Sequence, residues 1–218
     1  MQSIEHSSVS PFYTFDPLQG SEITELIELL NDCYAGVDQL EQIWKKCPQM
    51  ATKLSEQGAT FSGGRSDVDW DDATIVFIAL RGTEDDGSPS EPLERGISIE
   101  RLGRFPASEG NSIAYLRKHL IPEEENDEGV VLLAQLDSGL RAESLGHDRL
   151  SIGFGGMILH GWLTAEDVVK MRSYLEQSLW KVNKNEPLDG GVREIVRHFL
   201  IVLKSAEKRN LGMLMRRH

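Results

Sequence analysis

Two short apolar segments constrain the fold of this chain more than any other feature. Residues 74–80 (TIVFIAL) and 130–136 (VVLLAQL) are nearly uninterrupted runs of hydrophobic side chains. Runs of this length, bounded by polar loops, are typical of strands that are buried on both faces. The alternation at Ile97 and Ile99 and the glycine-rich apolar stretch at 150–160 predict further strands. We therefore expect the middle of the chain to supply a sheet.

Helical periodicity marks both ends of the chain. A first helix is expected to start at Ser21, because apolar residues then recur on one helical face. Pro48 should kink the next helix or begin a new one. Thr164 and Asp167 form a capping-box pattern, and Asp189 is expected to cap the last helix. A shorter helix, capped by Asn111 or by Ser112, is expected to run to His119.

The grouping of these patterns predicts the fold class. Helices at the ends and strands in the middle favour an α+β fold, with a mostly antiparallel central sheet flanked by N-terminal and C-terminal helices. The length of 218 residues suits one hydrophobic core. We expect a single domain over residues 21–212, an N-terminal tail over 1–20 and a basic C-terminal tail over 213–218.

The charge balance narrows the range of partners. The net charge is −12, which repels nucleic acid and anionic membranes and favours a basic protein partner. Residues 189–218 differ from the rest, with seven lysines and arginines against three acids. No apolar run is long enough to span a membrane, and the two cysteines lack Cys-x-x-Cys spacing. These features predict a cytoplasmic protein without cofactor or metal.

An acidic segment around a tryptophan is the candidate partner-binding site. It consists of Asp67, Asp69, Trp70, Asp71 and Asp72. Tryptophan is enriched at interface hot spots, and the surrounding acids suit a basic partner. A hard cation is an alternative ligand, but the calcium-loop template requires glycine at its sixth position, where this chain has aspartate. The second alternative is a solvated loop with the tryptophan packed beneath it.

The remaining motifs carry less chemistry. Residues 153–156 (GFGG) are followed by Ile158, where a dinucleotide-binding fingerprint has glycine, so a bulge or a close backbone approach is expected. The histidines at 119, 147, 160 and 198 show no metal-ligand spacing.

Arg193 and His198 on the last helix form an alternative catalytic pair. Their Arg-x4-His spacing resembles the motif of the HEPN ribonuclease family. The resemblance, which covers six residues, implies that the histidine acts as a base and that the arginine stabilises phosphate charge, often across a dimer. At about 100° per residue the two side chains stand about 140° apart, so they do not converge within one helix. A surface arginine beside a partly exposed histidine is the other interpretation.

Three functions follow as expectations. The first is a non-enzymatic binding or inhibitory protein, immunity-like in character, that engages a basic partner. The second is an enzyme of unrecognised type, with a dimeric HEPN-like ribonuclease as its specific form. The third is a structural module that forms a homodimer through its C-terminal helix. The lack of a recognisable catalytic constellation favours the first of these.

Overall fold

The computed structural model shows an α+β protein with small antiparallel sheets. It describes residues 11–19, 23–34, 45, 48–58, 65–82, 88, 90–123, 127–178 and 180–218. The main sheet has the strand order β1-β5-β3, with β1 at Tyr13–Leu18, β3 at Ile158–Leu163 and β5 at Gly212–Arg217. A separate antiparallel pair joins β2 (Leu120–Pro122) to β4 (Trp180–Val182). The predicted fold class is confirmed.

The helices of the described residues surround this sheet. Their bounds are α1 Ile23–Tyr34, α2 Pro48–Glu56, α3 Asp72–Leu80, α4 Ser112–His119, α5 Glu128–Ser138, α6 Ala165–Gln177 and α7 Gly191–Lys208. Short helical turns lie at Arg65–Asp67, Arg95–Ile97, Ser98–Leu102, Ala142–Leu145 and Phe154–Gly156.

Several predicted helix boundaries are confirmed. Pro48 begins a new helix, and the Asn111 side chain caps α4 by accepting a hydrogen bond from the Ala114 backbone. Thr164 and Asp167 form both hydrogen bonds of the capping box at α6. The last helix begins one residue later than expected, because Gly190 rather than Asp189 is its N-cap. Ser21 lies outside the described residues.

Three of the predicted strand regions are helical. Residues 74–80 belong to α3, residues 130–136 belong to α5, and residues 97–99 lie in helical turns. An apolar run of seven residues fits a buried helix as well as a buried strand. Here an aspartate in front of each run favours the helix, because it caps the helix N-terminus. Asp71 and Asp127 cap the two helices by accepting backbone hydrogen bonds from Thr74 and Gly129. Of the region 150–160, only the last three residues belong to a strand.

The strands of the main sheet come largely from segments that were predicted to be tails. Residues 13–18 form a strand whose six residues are all buried, and residues 212–217 form the middle strand. Neither stretch is a tail, because each alternates its side chains between two faces and both faces are covered by helices. The extent of the single domain, 21–212, stays a prediction.

The main sheet lies between two layers of helices. One face carries Tyr13, Phe15, Met213 and Met215 and packs against α4, α5, α6 and α7. The other face carries Leu18, Leu159 and Leu214 and packs against α1, α2 and α3. Fully burying a large apolar side chain stabilises the fold by roughly 1.5–3 kcal/mol, so these two clusters are the main source of stability.

A glycine allows α5 to lie directly on the sheet. A β-carbon at Gly161 would overlap with the carbonyl oxygens of Gln135 and Leu136, so no larger residue fits this contact. The register of β3 against β5 also shifts between Leu159 and Gly161, which makes His160 the residue of a bulge. The contact therefore brings the C-terminal end of α5 against the bulge in β3.

Candidate functional site

The acidic segment lies at the N-terminal end of α3, where two of its carboxylates form hydrogen bonds or ion pairs within the protein. Asp71 accepts hydrogen bonds from the backbone N–H of Thr74 at 2.7 Å and from the Thr74 hydroxyl at 2.8 Å. Asp72 forms ion pairs with Arg65 at 2.7 Å and with Arg149 at 3.5 Å. These bonds give Asp71 and Asp72 a structural role and reduce the negative charge that the segment shows to solvent.

The other members of the segment differ in exposure. Asp69 is exposed, whereas Trp70 is half-buried and packs against the core on the side of α1 and α3. Asp67 ends the helical turn Arg65–Asp67, and its side chain lies outside the described residues. Asp69, Trp70, Asp71 and Asp72 lie together at the start of α3, and Asp69 is the exposed acid among them. Their role in partner binding stays a prediction.

A glycine-rich turn lies against the same carboxylate. The backbone N–H of Phe154 donates to Asp71 Oδ2 at 3.1 Å and approaches the Thr74 hydroxyl at 3.4 Å. A β-carbon on Gly153 would be 3.2 Å from both groups, so glycine permits this close approach. Gly155 and Gly156 then turn the chain with φ values of +71° and +80°, a backbone conformation that glycine adopts without strain.

This turn presents an aromatic side chain to solvent. Phe154 is 87% exposed, and Ile152 on the same segment is 49% exposed. We call residues 152–156 the Phe154 turn. Sequence analysis predicted a bulge or a close backbone approach at these glycines and did not predict the exposed ring. The signal that it missed is a phenylalanine set between glycines, because the neighbouring residues offer no side chain to cover the ring.

The proposed catalytic pair on α7 is not brought together within one chain. Arg193 lines a groove of about 530 Å³ between α7 and the end of α6, together with Trp180, Arg197 and Ile201. His198 does not line this groove. Burial, followed by the charge of Arg197, lowers the pKa of His198, so its imidazole is neutral at pH 7. A composite site across two chains stays a prediction.

The exposed side of α7 bears on the predicted homodimer. Ile201 is 40% exposed, but Val202 is fully buried, so the apolar excess of the helix is mostly directed into its own core. The groove beside Ile201 is bordered by Arg193, Arg197 and Lys204. Glu176 also lines the groove and is paired with Lys204 at 2.8 Å, so the surface carries both signs of charge. Homodimerisation through α7 stays a prediction.

The described residues contain neither a membrane-spanning helix nor a metal site, and the chain matches no known protein in three comparisons. In the described ranges, no helix is long and apolar enough to cross a bilayer. Within those same ranges, no three histidine, cysteine, aspartate or glutamate side chains are placed to hold a metal ion. No family model, curated protein or solved structure matches the chain.

Proposed function

We propose that this chain is a cytoplasmic, non-enzymatic binding protein, inhibitory or immunity-like in character, that engages a basic protein partner through the Phe154 turn and Asp69. The observation that carries the proposal is the exposure of Phe154. An aromatic ring that is 87% in water is the largest single apolar surface offered by the described residues.

The support beneath the ring favours a binding role. Asp71 and Thr74 hold the backbone of Phe154 from one side, so the turn is ordered before a partner arrives. A partner that buries the ring gains roughly 2–3 kcal/mol from the hydrophobic effect. Because the backbone is already held, less conformational entropy is lost on binding. Such rigid aromatic anchors are typical of interface hot spots.

The charge near the turn favours a basic partner. Asp69 is exposed two positions before Asp71, whose carboxylate accepts a hydrogen bond from the Phe154 turn. Asp148, which precedes the turn in the chain, is also exposed. The whole chain carries a net charge of −12. This field accelerates association with a basic protein and makes the association rate fall as salt is added.

The experiment is an affinity capture from the source cell at low ionic strength, with the full chain as bait. The bait variants are Phe154→Ser and Val131→Ser. Val131 is the matched control, because it is also an exposed apolar residue, 62% exposed, but lies on α5. We expect the wild type and Val131→Ser to retain a basic protein that Phe154→Ser loses by a factor of about ten or more.

Two results would contradict the proposal. One is the recovery of no basic protein at low salt. The other is equal capture by Phe154→Ser and the wild type, which would show that the turn takes no part in binding.

A further inference from the structure

Four residues that are distant in sequence meet at one end of the main sheet. Tyr13 on β1 lies directly opposite Arg217 on β5, so the two side chains share a face. The Tyr13 ring meets the His160 ring edge to face, with 5.1 Å between centroids. The backbone N–H of Leu140 donates to the His160 carbonyl at 2.8 Å, which places Arg141, the next residue, beside the bulge. We call Tyr13, Arg141, His160 and Arg217 the sheet-end cluster.

The two arginines of this cluster have no acidic partner in the part of the chain that the structure describes. Both are partly buried, and one terminal nitrogen of Arg141 is fully buried without a hydrogen bond. Asp137 acts electrostatically on Tyr13 and His160, but its carboxylate is bonded to Arg117 and Asn111. A partly buried guanidinium without a counter-ion is unfavourable, so two such groups together indicate a site for an anion.

The histidine completes the polar lining of the cluster. His160 Nδ1 lies 2.9 Å from the Asp137 carbonyl, which can only accept, so Nδ1 carries the hydrogen. In the neutral ring Nε2 is then a bare acceptor, and this atom is buried without a partner. Burial, and after it the charges of Arg141 and Arg217 among others, lowers the pKa of His160. Burial also raises the pKa of Tyr13, so its hydroxyl remains a hydrogen-bond donor at neutral pH.

We propose that the sheet-end cluster is a binding site for a phosphate group, held between the guanidinium groups of Arg141 and Arg217. The planar donor forks of arginine match the oxygens of a phosphate, and two positive charges balance its double negative charge near neutral pH. Protonation of His160 Nε2 on binding turns this buried acceptor into a third donor. The Tyr13 hydroxyl supplies a fourth.

Space for the rest of a phosphorylated molecule lies next to the cluster. A cavity of about 580 Å³ is lined by Pro11, Arg104, Phe105, Glu109 and Gly110, among others. Gly110 packs against the Tyr13 ring, so the cavity borders the cluster. Glu109 and Arg104 place one negative and one positive charge on the cavity wall.

The test is calorimetric titration of the full chain with inorganic phosphate at low ionic strength. We expect one saturable site, and we expect Arg141→Gln and Arg217→Gln each to weaken binding at least about tenfold. The matched control is Arg95→Gln, which removes the same charge from an exposed arginine that is paired with Glu91. Absence of saturable binding, or an equal loss in Arg95→Gln, would overturn the proposal.

A second measurement needs no variant and so does not depend on how well a variant folds. The pKa of His160 is followed by NMR in the wild type with and without sulfate, which keeps its double charge while histidine titrates. A bound anion should raise this pKa, because it stabilises the imidazolium. An unchanged value at saturating sulfate would contradict the site. Neither test involves the Phe154 turn, so this site and the proposed partner surface stand or fall separately.

Discussion

Arg216 and Arg217 are neighbours on the middle strand, yet they meet opposite surroundings. Arg216 reaches toward α3, where two of its nitrogens donate to Asp16 at 2.9 and 3.2 Å and its guanidinium lies 4.6 Å from the centroid of the Phe77 ring. Arg217 points to the other face and has no acidic partner among the described residues. The same residue type thus forms an ion pair on one face and lacks one among the described residues on the other.

The alternation of a strand explains this difference. Successive side chains point to opposite faces, so one step along β5 changes every neighbour of the side chain. The face toward α1–α3 supplies an aspartate that is only 4% exposed. The face toward α4–α7 supplies Tyr13 and His160 instead. Three measurements test how far the two faces differ.

Gly161→Ala should produce the largest effect, because it forces α5 away from the sheet on the Arg217 side. The added methyl group overlaps with backbone oxygens, which cannot rotate out of the way. We expect a loss of at least about 3 kcal/mol in the free energy of unfolding, measured in urea. Gly96→Ala is the control, since a β-carbon there meets no atom within 4 Å. A loss below about 1 kcal/mol in Gly161→Ala would show that α5 can shift without cost.

Asp16→Asn should produce an intermediate effect on the other face. It removes the carboxylate of Arg216 and leaves a largely buried cation. We expect a loss of about 2–3 kcal/mol in the same measurement, less than for a fully buried pair because the Arg216 side chain is 20% exposed. Arg217→Gln should change stability by no more than about 0.5 kcal/mol, since no ion pair is broken. Equal losses in both variants would remove the contrast between the two arginines.

The pH dependence contributed by His160 should be the smallest effect. Burial lowers the pKa of His160 in the folded state, so the unfolded chain binds the proton more readily as pH falls through the ordinary histidine value of 6.5. The contribution of His160 to the free energy of unfolding is therefore complete above that pH and decreases below it. The decrease is less than about 1 kcal/mol at about pH 6. The groups that face the ring are Tyr13, Asp137, Arg141 and Arg217. The measurement is the difference in unfolding free energy between the wild type and His160→Gln at two pH values, and a difference independent of pH would contradict the assignment.

Local signals in the sequence predicted helix ends well and the sheet poorly. Pro48, Asn111 and Thr164 begin helices because their effects act within one turn of the chain. The apolar runs at 74–80 and 130–136 were wrong as strands, because their caps at Asp71 and Asp127 were not weighed. The strands at 13–18 and 212–217 depend on pairing between distant segments, which local patterns do not specify.

The candidate sites show the same division. The acids at 69, 71 and 72 are adjacent in sequence, so their proximity was predictable, but the arginines that pair with Asp72 and the threonine that binds Asp71 were not. The exposure of Phe154 depends on what the surrounding fold leaves uncovered. The sheet-end cluster combines residues from three strands and turns, and only the strand order reveals that they meet.

The strand order also constrains the order in which the sheet can form. Asp16 and Arg216 are 200 positions apart, and β5 lies between β1 and β3, so neither outer strand has its neighbour until β5 is in place. The helices can form earlier, because their contacts are local, whereas closing the sheet requires residues 200 positions apart to meet. During synthesis the edges of β1 and β3 that pair with β5 therefore stay unpaired until β5 has been made. In that interval the chain is most exposed to pairing with another copy of itself.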